Sequence, residues 1–363
     1  MRTAAHPTRK RITRRIATLA AAGFAALTFA VCSNIVASTS TLAAEASGGP
    51  ATITKVTMAA DIFSLSNAAL YVAIDKGYFK QQNIDLNFQT LRSGSTTGVA
   101  MLSGKVDIAA SASFEMGPLV AHGAKFLAFY SPLNVSTELC GSKSFLAAKG
   151  ITSSTSVKEI ASKFAGATIG ISGPNSTPDL IGRYFFQKVG GLNPAKDLKI
   201  VALGSQPAIV TALEAGQVDG LFASPPTCSN AAATGKATIV MEPSQVPAFV
   251  STPQNVMYST KEYAKTHAGV LRGISTAMDK GIAYTKAHPK EVASTVLKKY
   301  LPTAATPVVL NELKTVIIPA MPKGRGMSER GWKAVSDIIK PVTGKDLDTK
   351  EGGIWTNAYL PKH

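Results

Sequence analysis

A repeat at an offset of 112 residues constrains this chain more than any other feature of its sequence. Leu102-Ser103-Gly104-Lys105-Val106-Asp107 is answered by Glu214-Ala215-Gly216-Gln217-Val218-Asp219, with glycine, valine and aspartate in register. The same offset, without gaps, pairs Lys76 with Lys188, Asp85-Leu86 with Asp197-Leu198, Leu91 with Leu203 and Ser93 with Ser205. Twelve of the 66 positions from 64 to 129 match their counterparts, where unrelated sequences of ordinary composition would share about four. A chain of 363 residues is long enough for two domains. The repeat implies that the two are built alike.

Each copy reads as β-α-β-α-β. In the first, Val56 and Met58 alternate as a strand, and a helix over 67–76 ends at Gly77, a residue free to take the left-handed cap. Ile84, Leu86 and Phe88 alternate again, a second helix runs over 95–104, and a short strand covers 106–110. The second copy predicts strands at 167–171, 198–201 and 218–223, with helices through Phe185 and up to Gly216. Strands alternating with helices of this length imply parallel sheets with right-handed crossovers, an α/β doubly wound class. Two less regular stretches, 131–150 and 243–259, join the copies. After Thr260 the pattern turns helical (268–287, 289–299, 310–317 and 329–339) without a sheet of its own. That block is expected to return to the first domain. Domain 1 would then comprise 52–135 and 256–363, and domain 2, inserted, 136–255, with a two-strand hinge between them.

Residues 1–46 read as a cleaved export signal. Arg9, Lys10, Arg11, Arg14 and Arg15 form a basic start, 16–31 carries no charge, and Ala44-Glu45-Ala46 offers a cleavage site. The apolar stretch is short for a membrane span, and Cys32 falls inside the leader. Thr13-Arg14-Arg15 leaves twin-arginine export open beside the general secretory (Sec) route. Six of the 38 basic and one of the 22 acidic residues lie in this leader, so 47–363 carries a net charge of +11. The surplus is scattered, with no clustered basic stripe of the kind nucleic-acid binding needs. It reads as a plain soluble basic surface or, more sharply, as a mild field favouring anionic solutes. Two cysteines remain, Cys140 and Cys228. An oxidising compartment permits a disulfide between them, which requires Cα atoms within about 7 Å.

In parallel α/β sheets a ligand sits beyond the carboxyl ends of the strands, where helix N-termini present free N–H groups. The loops at those ends are rich in hydroxyls: 61–67, 92–96 and 111–113 in the first copy, and 172–177, 204–206 and 224–227 in the second. Serine, asparagine and glycine are also the ordinary capping and turn residues of such loops. Arg92 is the one cation among them and is suited to a bidentate contact with a carboxylate or sulfonate. Phe63 offers an apolar wall. Ser95 and Thr177 join the candidates from the helix starts. Asp107 and Asp219 resemble a catalytic carboxylate pair, but each occupies the same place in its own copy, which favours a structural role in a turn.

At this point the residues resemble a known family. Ser66-Asn67-Ala68-Ala69-Leu70-Tyr71-Val72-Ala73-Ile74-Asp75-Lys76-Gly77-Tyr78-Phe79 is similar to the opening of the nitrate/sulfonate/taurine-type substrate-binding proteins of ABC importers. Ile84-Asp85-Leu86, Ser93-Gly94 and the stretch from Leu102 to Ile108 continue the likeness. The stretches 170–176 and 218–226 resemble that family's second-domain turn and Val-Asp block. The resemblance spans residues 52 to about 300 and is specific as a set of motifs. It implies a type II periplasmic-binding fold that captures a small, anionic organic solute by hinge closure, without a cofactor, and delivers it to an ABC permease at the membrane. By position, Ser64, Asn67, Ser93, Gly94 and Ser113 would line one face of the cleft, and Asn175, Ser176 and Ser224 the other. Such a receptor is expected in the periplasm, as a monomer.

Many sulfonate receptors resemble Trp-Asp-Pro where this chain has Ser224-Pro225-Pro226. Carboxylates, aromatic acids and thiamine-precursor pyrimidines therefore stay open beside sulfonates and nitrate-like solutes. Thiamine-pyrimidine synthases resemble the same fold but use a cysteine-rich motif and metal ligands. Here Cys140 and Cys228 stand far apart, and His122, His267, His288 and His363 lack metal-ligand spacing. No nucleophile motif, phosphate loop or dinucleotide fingerprint is present, so an enzyme is not expected. A sensory receptor without transport would carry the same cleft.

Overall fold

Ten strands form two five-stranded sheets in the computed structural model, which describes residues 52–61, 64–91, 94–302, 304–322 and 326–362. The signal-peptide segment, Phe63, Arg92 and Ser93 lie outside the described residues, as does the side chain of Ser95. The first sheet contains β1 (Thr54–Ala60), β2 (Ile84–Thr90), β3 (Ile108–Ala112), β4 (Phe126–Asn134) and β10 (Pro253–Thr260), in the order β2-β1-β3-β10-β4. The second contains β5 (Glu138–Ser142), β6 (Thr168–Ile171), β7 (Lys199–Ala202), β8 (Gly220–Ala223) and β9 (Ala237–Met241), in the order β7-β6-β8-β5-β9. The two orders correspond position by position, as the repeat requires.

The sheets are mixed rather than parallel. β1, β2 and β3 pair in parallel, as do β6, β7 and β8, but β10 runs antiparallel to β3 and β4, and β5 antiparallel to β8 and β9. Both reversed strands come from the stretches whose sequence looked irregular. Every residue of β5, and all of β10 except Thr260, is buried. A strand covered on both faces shows no alternation. Their polar residues, among them Glu138, Gln254 and Asn255, hide the apolar run as well.

The repeat is visible in backbone detail. Gly104 and Gly216 take φ of +72° and +70° after their helices, a region closed to most side chains. Asp107 Oδ2 accepts the backbone N–H of Thr57, and Asp219 Oδ2 that of Thr168, both at 2.8 Å. Each aspartate thus ties the start of its strand to the neighbouring one, which accounts for the pair without catalysis.

On one face of the first sheet, Val56, Met58 and Ala60 pack with α1 (Ala68–Asp75), while the intervening Ala59 faces the opposite core. The same side receives Leu271, Ile274 and Met278 from the 20-residue helix 268–287 and Val309 from the helix Thr306–Glu312. Glu329–Thr343 places Trp332, Val335 and Ile339 in one apolar cluster with Phe114 of the first copy and Phe185 of the second. The chain passes between the sheets at 135–137 and 242–252. The first passage is tied to the start of β10, where Gln254 Oε1 accepts the Ser136 N–H (2.9 Å) and the Thr137 hydroxyl (3.2 Å). Cys140 on β5 and Cys228 form a disulfide with Cα atoms 5.7 Å apart, inside the core beneath the second sheet. No helix among the described residues is long and apolar enough to cross a membrane.

Candidate functional site

A cleft of about 460 Å³ opens at the carboxyl ends of the parallel strands of both sheets. Asp61 enters it directly after β1, and Glu115 from the first turn of α2 (Ser113–Ala121), which follows β3. Opposite stand Ser172 and Gly173 after β6, Gly204 and Ser205 after β7, and Ser224 after β8. Two helices begin at this wall: α3 (Thr177–Lys188), capped by Ser176, and α4 (Gln206–Glu214), preceded by Ser205. Residues from the loops of both sheets therefore wall one space.

The expected site residues divide into lining, supporting and undescribed groups. Ser64, Ser176, Thr177 and Ser224 line the cleft. Ser64 also caps the short 3-10 turn Leu65–Asn67, its Oγ accepting the Ser66 N–H at 3.3 Å. Ser176 Oγ accepts the Asp179 N–H at 3.4 Å. Asn67 is buried behind the wall, where its Nδ2 donates to Asp61 Oδ1 at 3.3 Å and its Oδ1 accepts from Asn255 Nδ2 at 2.9 Å. Ser113 is fully buried, with its hydroxyl donating to the Pro253 carbonyl at 2.6 Å. Asn175 adopts φ of +58°, is exposed, and its N–H donates to Asp179 Oδ2 at 2.8 Å. Gly94 starts the helix Gly94–Leu102. The proposed anion contact Arg92, with Phe63 and Ser93, lies outside the described residues.

Sequence reading missed the two carboxylates of the lining. Asp61 opens a loop whose hydroxyls drew attention instead. Glu115 lies two residues beyond Ser113, past the hydroxyl-bearing stretch 111–113. Burial pushes the Asp61 carboxyl up to about 6, against a smaller opposing effect of the Asn67 hydrogen bond. The walls thus differ in polarity: carboxylates on the side of the first sheet, and on the side of the second sheet the positive N-terminal ends of α3 and α4. The loop after β8 carries a cis peptide between Pro225 and Pro226. Among the described residues no group of three histidine, cysteine or acidic side chains is placed to hold a metal ion.

Residues 65–292, more than half of the chain, match the NMT1/THI5-like family. This chain belongs to that family. Among curated proteins, the Bacillus subtilis (strain 168) binding protein YtlA is 39% identical over 74 residues, 20% of this chain and 22% of that protein's length. The shared part is therefore about a fifth of the curated relative. The solved structures that this NMT1/THI5-like chain is similar to include the periplasmic aliphatic sulphonate binding protein SsuA from Escherichia coli. That likeness has a TM-score of 0.65 at 13% identity and covers 84% of this chain and 98% of that one. The periplasmic nitrate-binding protein NrtA from Synechocystis PCC 6803 aligns with a TM-score of 0.62 at 12% identity, covering 80% and 82%. The NMT1/THI5-like chain thus has the periplasmic-binding-protein fold.

Proposed function

We propose that this protein is the extracytoplasmic solute receptor of an ABC importer, closing its two lobes on a small molecule and handing it to a membrane permease. The observation that carries this reading is a cleft walled by the carboxyl ends of parallel strands from both sheets. The two chain passages beside it form the hinge. Family membership and the periplasmic fold support the reading, and the basic, uncharged and small-residue order of 1–46 supports export.

The solute is small and dipolar in this reading. Asp61 and Glu115 oppose a bare anion at the first-lobe wall, where they accept hydrogen bonds from an amine, amide or amino-heterocycle. An acidic or acceptor group meets the N–H groups at the starts of α3 and α4.

A matched trio of probes tests both levels. Taurine carries both ends, whereas ethanesulfonate and ethylamine each carry one. Saturable thermal stabilisation by taurine above both single-ended probes supports the dipolar solute. Stabilisation by ethanesulfonate alone rejects it but keeps the receptor. Silence toward these, β-alanine, nitrate and a wider solute panel, with no small molecule co-purifying from the periplasm, rejects the receptor itself.

A further inference from the structure

Glu138 and Glu312 are both fully buried, and no oxygen of either has a hydrogen-bond partner among the described residues. Glu138 is the first residue of β5, directly after the 135–137 passage, and pairs with Ala223, the neighbour of the cleft residue Ser224. Glu312 ends the helix Thr306–Glu312, whose Val309 packs in the core of the first sheet. That helix also packs against Thr227–Ala233 of the second lobe. The charge of Glu312 acts on Glu138 here, where the C-terminal helices touch the second lobe beside the 135–137 passage.

Two carboxylates cannot both keep a charge there. Desolvation disfavours each charge, and their mutual repulsion adds to it, so burial first and then Glu312 raise Glu138 well above the usual carboxylate range. Glu312 is raised too, mainly by desolvation. The other groups acting on the pair are the Ser229 hydroxyl on Thr227–Ala233, which favours charged Glu312 from outside hydrogen-bond geometry, and Glu242, just past β9, whose charge raises both. No basic side chain is among the groups shifting either one.

We propose that Glu138 and Glu312 form a proton-dependent latch between the second lobe and the C-terminal helices, packed when protonated and released when both ionise. A raised carboxyl holds its proton in the packed state and loses it when exposed. Packing is therefore favoured at low pH and lost as pH rises from the ordinary carboxylate range toward the raised one. While one proton is linked, the packed fraction relative to the released falls by up to tenfold per pH unit. Because the latch flanks the hinge, solute affinity falls with it; that clause alone rests on the receptor reading.

Hydrogen exchange on the solute-free protein between pH 6 and 8.5, corrected for intrinsic rates, tests the latch independently of any ligand. Protection in 306–312 and 138–142 is expected to fall several-fold per pH unit in the wild type, and to stay flat in the double variant Glu138→Gln/Glu312→Gln. Equal pH slopes in wild type and double variant overturn the proposal. So does wild-type protection that EDTA removes at pH 6, which would assign the pair to a bound cation. If the double variant does not fold, pH-independent protection in the wild type alone is sufficient to overturn it. With the latch upheld, pH-independent affinity for a stabilising solute would reject only the coupling to the cleft.

Discussion

Asn255 Nδ2 donates to Asn67 Oδ1 at 2.9 Å, joining the reversed strand β10 to the loop that presents Asp61 to the cleft. Asn67 passes the connection on through its own amide to Asp61 Oδ1. Removing this support in Asn67→Ala deletes the larger of two hydrogen bonds that oppose the upward shift of Asp61, so its carboxyl should titrate above 6. A solute whose donor group meets the Asp61 carboxylate should bind wild type progressively less well below pH 6. In Asn67→Ala that decline should begin at higher pH, with roughly tenfold weaker binding at pH 7. Calorimetric titration from pH 5 to 8 with the best probe checks both statements. An unshifted pH profile would remove Asp61 from the solute contact.

The same carboxyl opposes folding. Its pKa is raised from 3.8 to about 6, so the folded state holds a proton that the unfolded state gives up between those values. Stability therefore declines as pH rises from about 4 to about 6, and the loss is complete above that. Asp61→Asn should stabilise the solute-free protein above pH 6 by about 1–2 kcal/mol while weakening solute binding. Denaturant titration at pH 4 and pH 7 reads the difference, which should vanish at the lower pH.

Asp107 and Asp219 make the same contact in different sheets. Asp107→Ala and Asp219→Ala each leave a strand N–H without its acceptor, at a cost of about 1–3 kcal/mol. As the sites are separate, the double variant should lose close to the sum. Solute affinity should be unchanged in each folded variant, because neither aspartate lines the cleft.

The Cys140–Cys228 disulfide closes a loop of 88 residues within the second lobe. Chain entropy alone puts its contribution at about 4–5 kcal/mol, an upper range that strain and residual unfolded structure reduce. Cys140→Ala/Cys228→Ala should therefore unfold at markedly lower temperature than the oxidised wild type, and reductant should lower the melting temperature of wild type only.

The architecture was legible where one local constraint repeated. Gly104 and Gly216 mark the left-handed turns, Asp107 and Asp219 follow them, and the loops beyond the parallel strands hold Ser64, Ser176 and Ser224. It was hidden where burial was two-sided or contacts were distant. β5 and β10 carry glutamate, glutamine and asparagine through fully buried positions, so neither periodicity nor hydropathy marked them as strands. Ser113 looked like a ligand contact because its hydroxyl stands after a strand. Its partner, the Pro253 carbonyl, is 140 residues away. Asn67 stands on the same loop as Asp61 and supports it from behind. Glu115 sits inside a helix start, where acidic residues are common for helix-dipole reasons alone.

Gly281 separates helix propensity from packing. It lies in the middle of Ala268–Ala287, where alanine would ordinarily gain about 1 kcal/mol. A Cβ at this position would collide with the Ala69 carbonyl oxygen and approach the Ala73 Cβ to 3.2 Å, because the long helix lies directly on α1. The obstacle is largely backbone, so it cannot rotate aside, and overpacking of this kind costs about 1–3 kcal/mol or more. The clash should outweigh the propensity gain. Gly281→Ala is expected to lower stability by about 1–2 kcal/mol, whereas Gly269→Ala, near the start of the same helix with nothing within 4 Å of its Cβ, should be neutral or stabilising. Urea unfolding of the two variants side by side decides between propensity and packing. Stabilisation by both would mean that the two helices move apart at little cost.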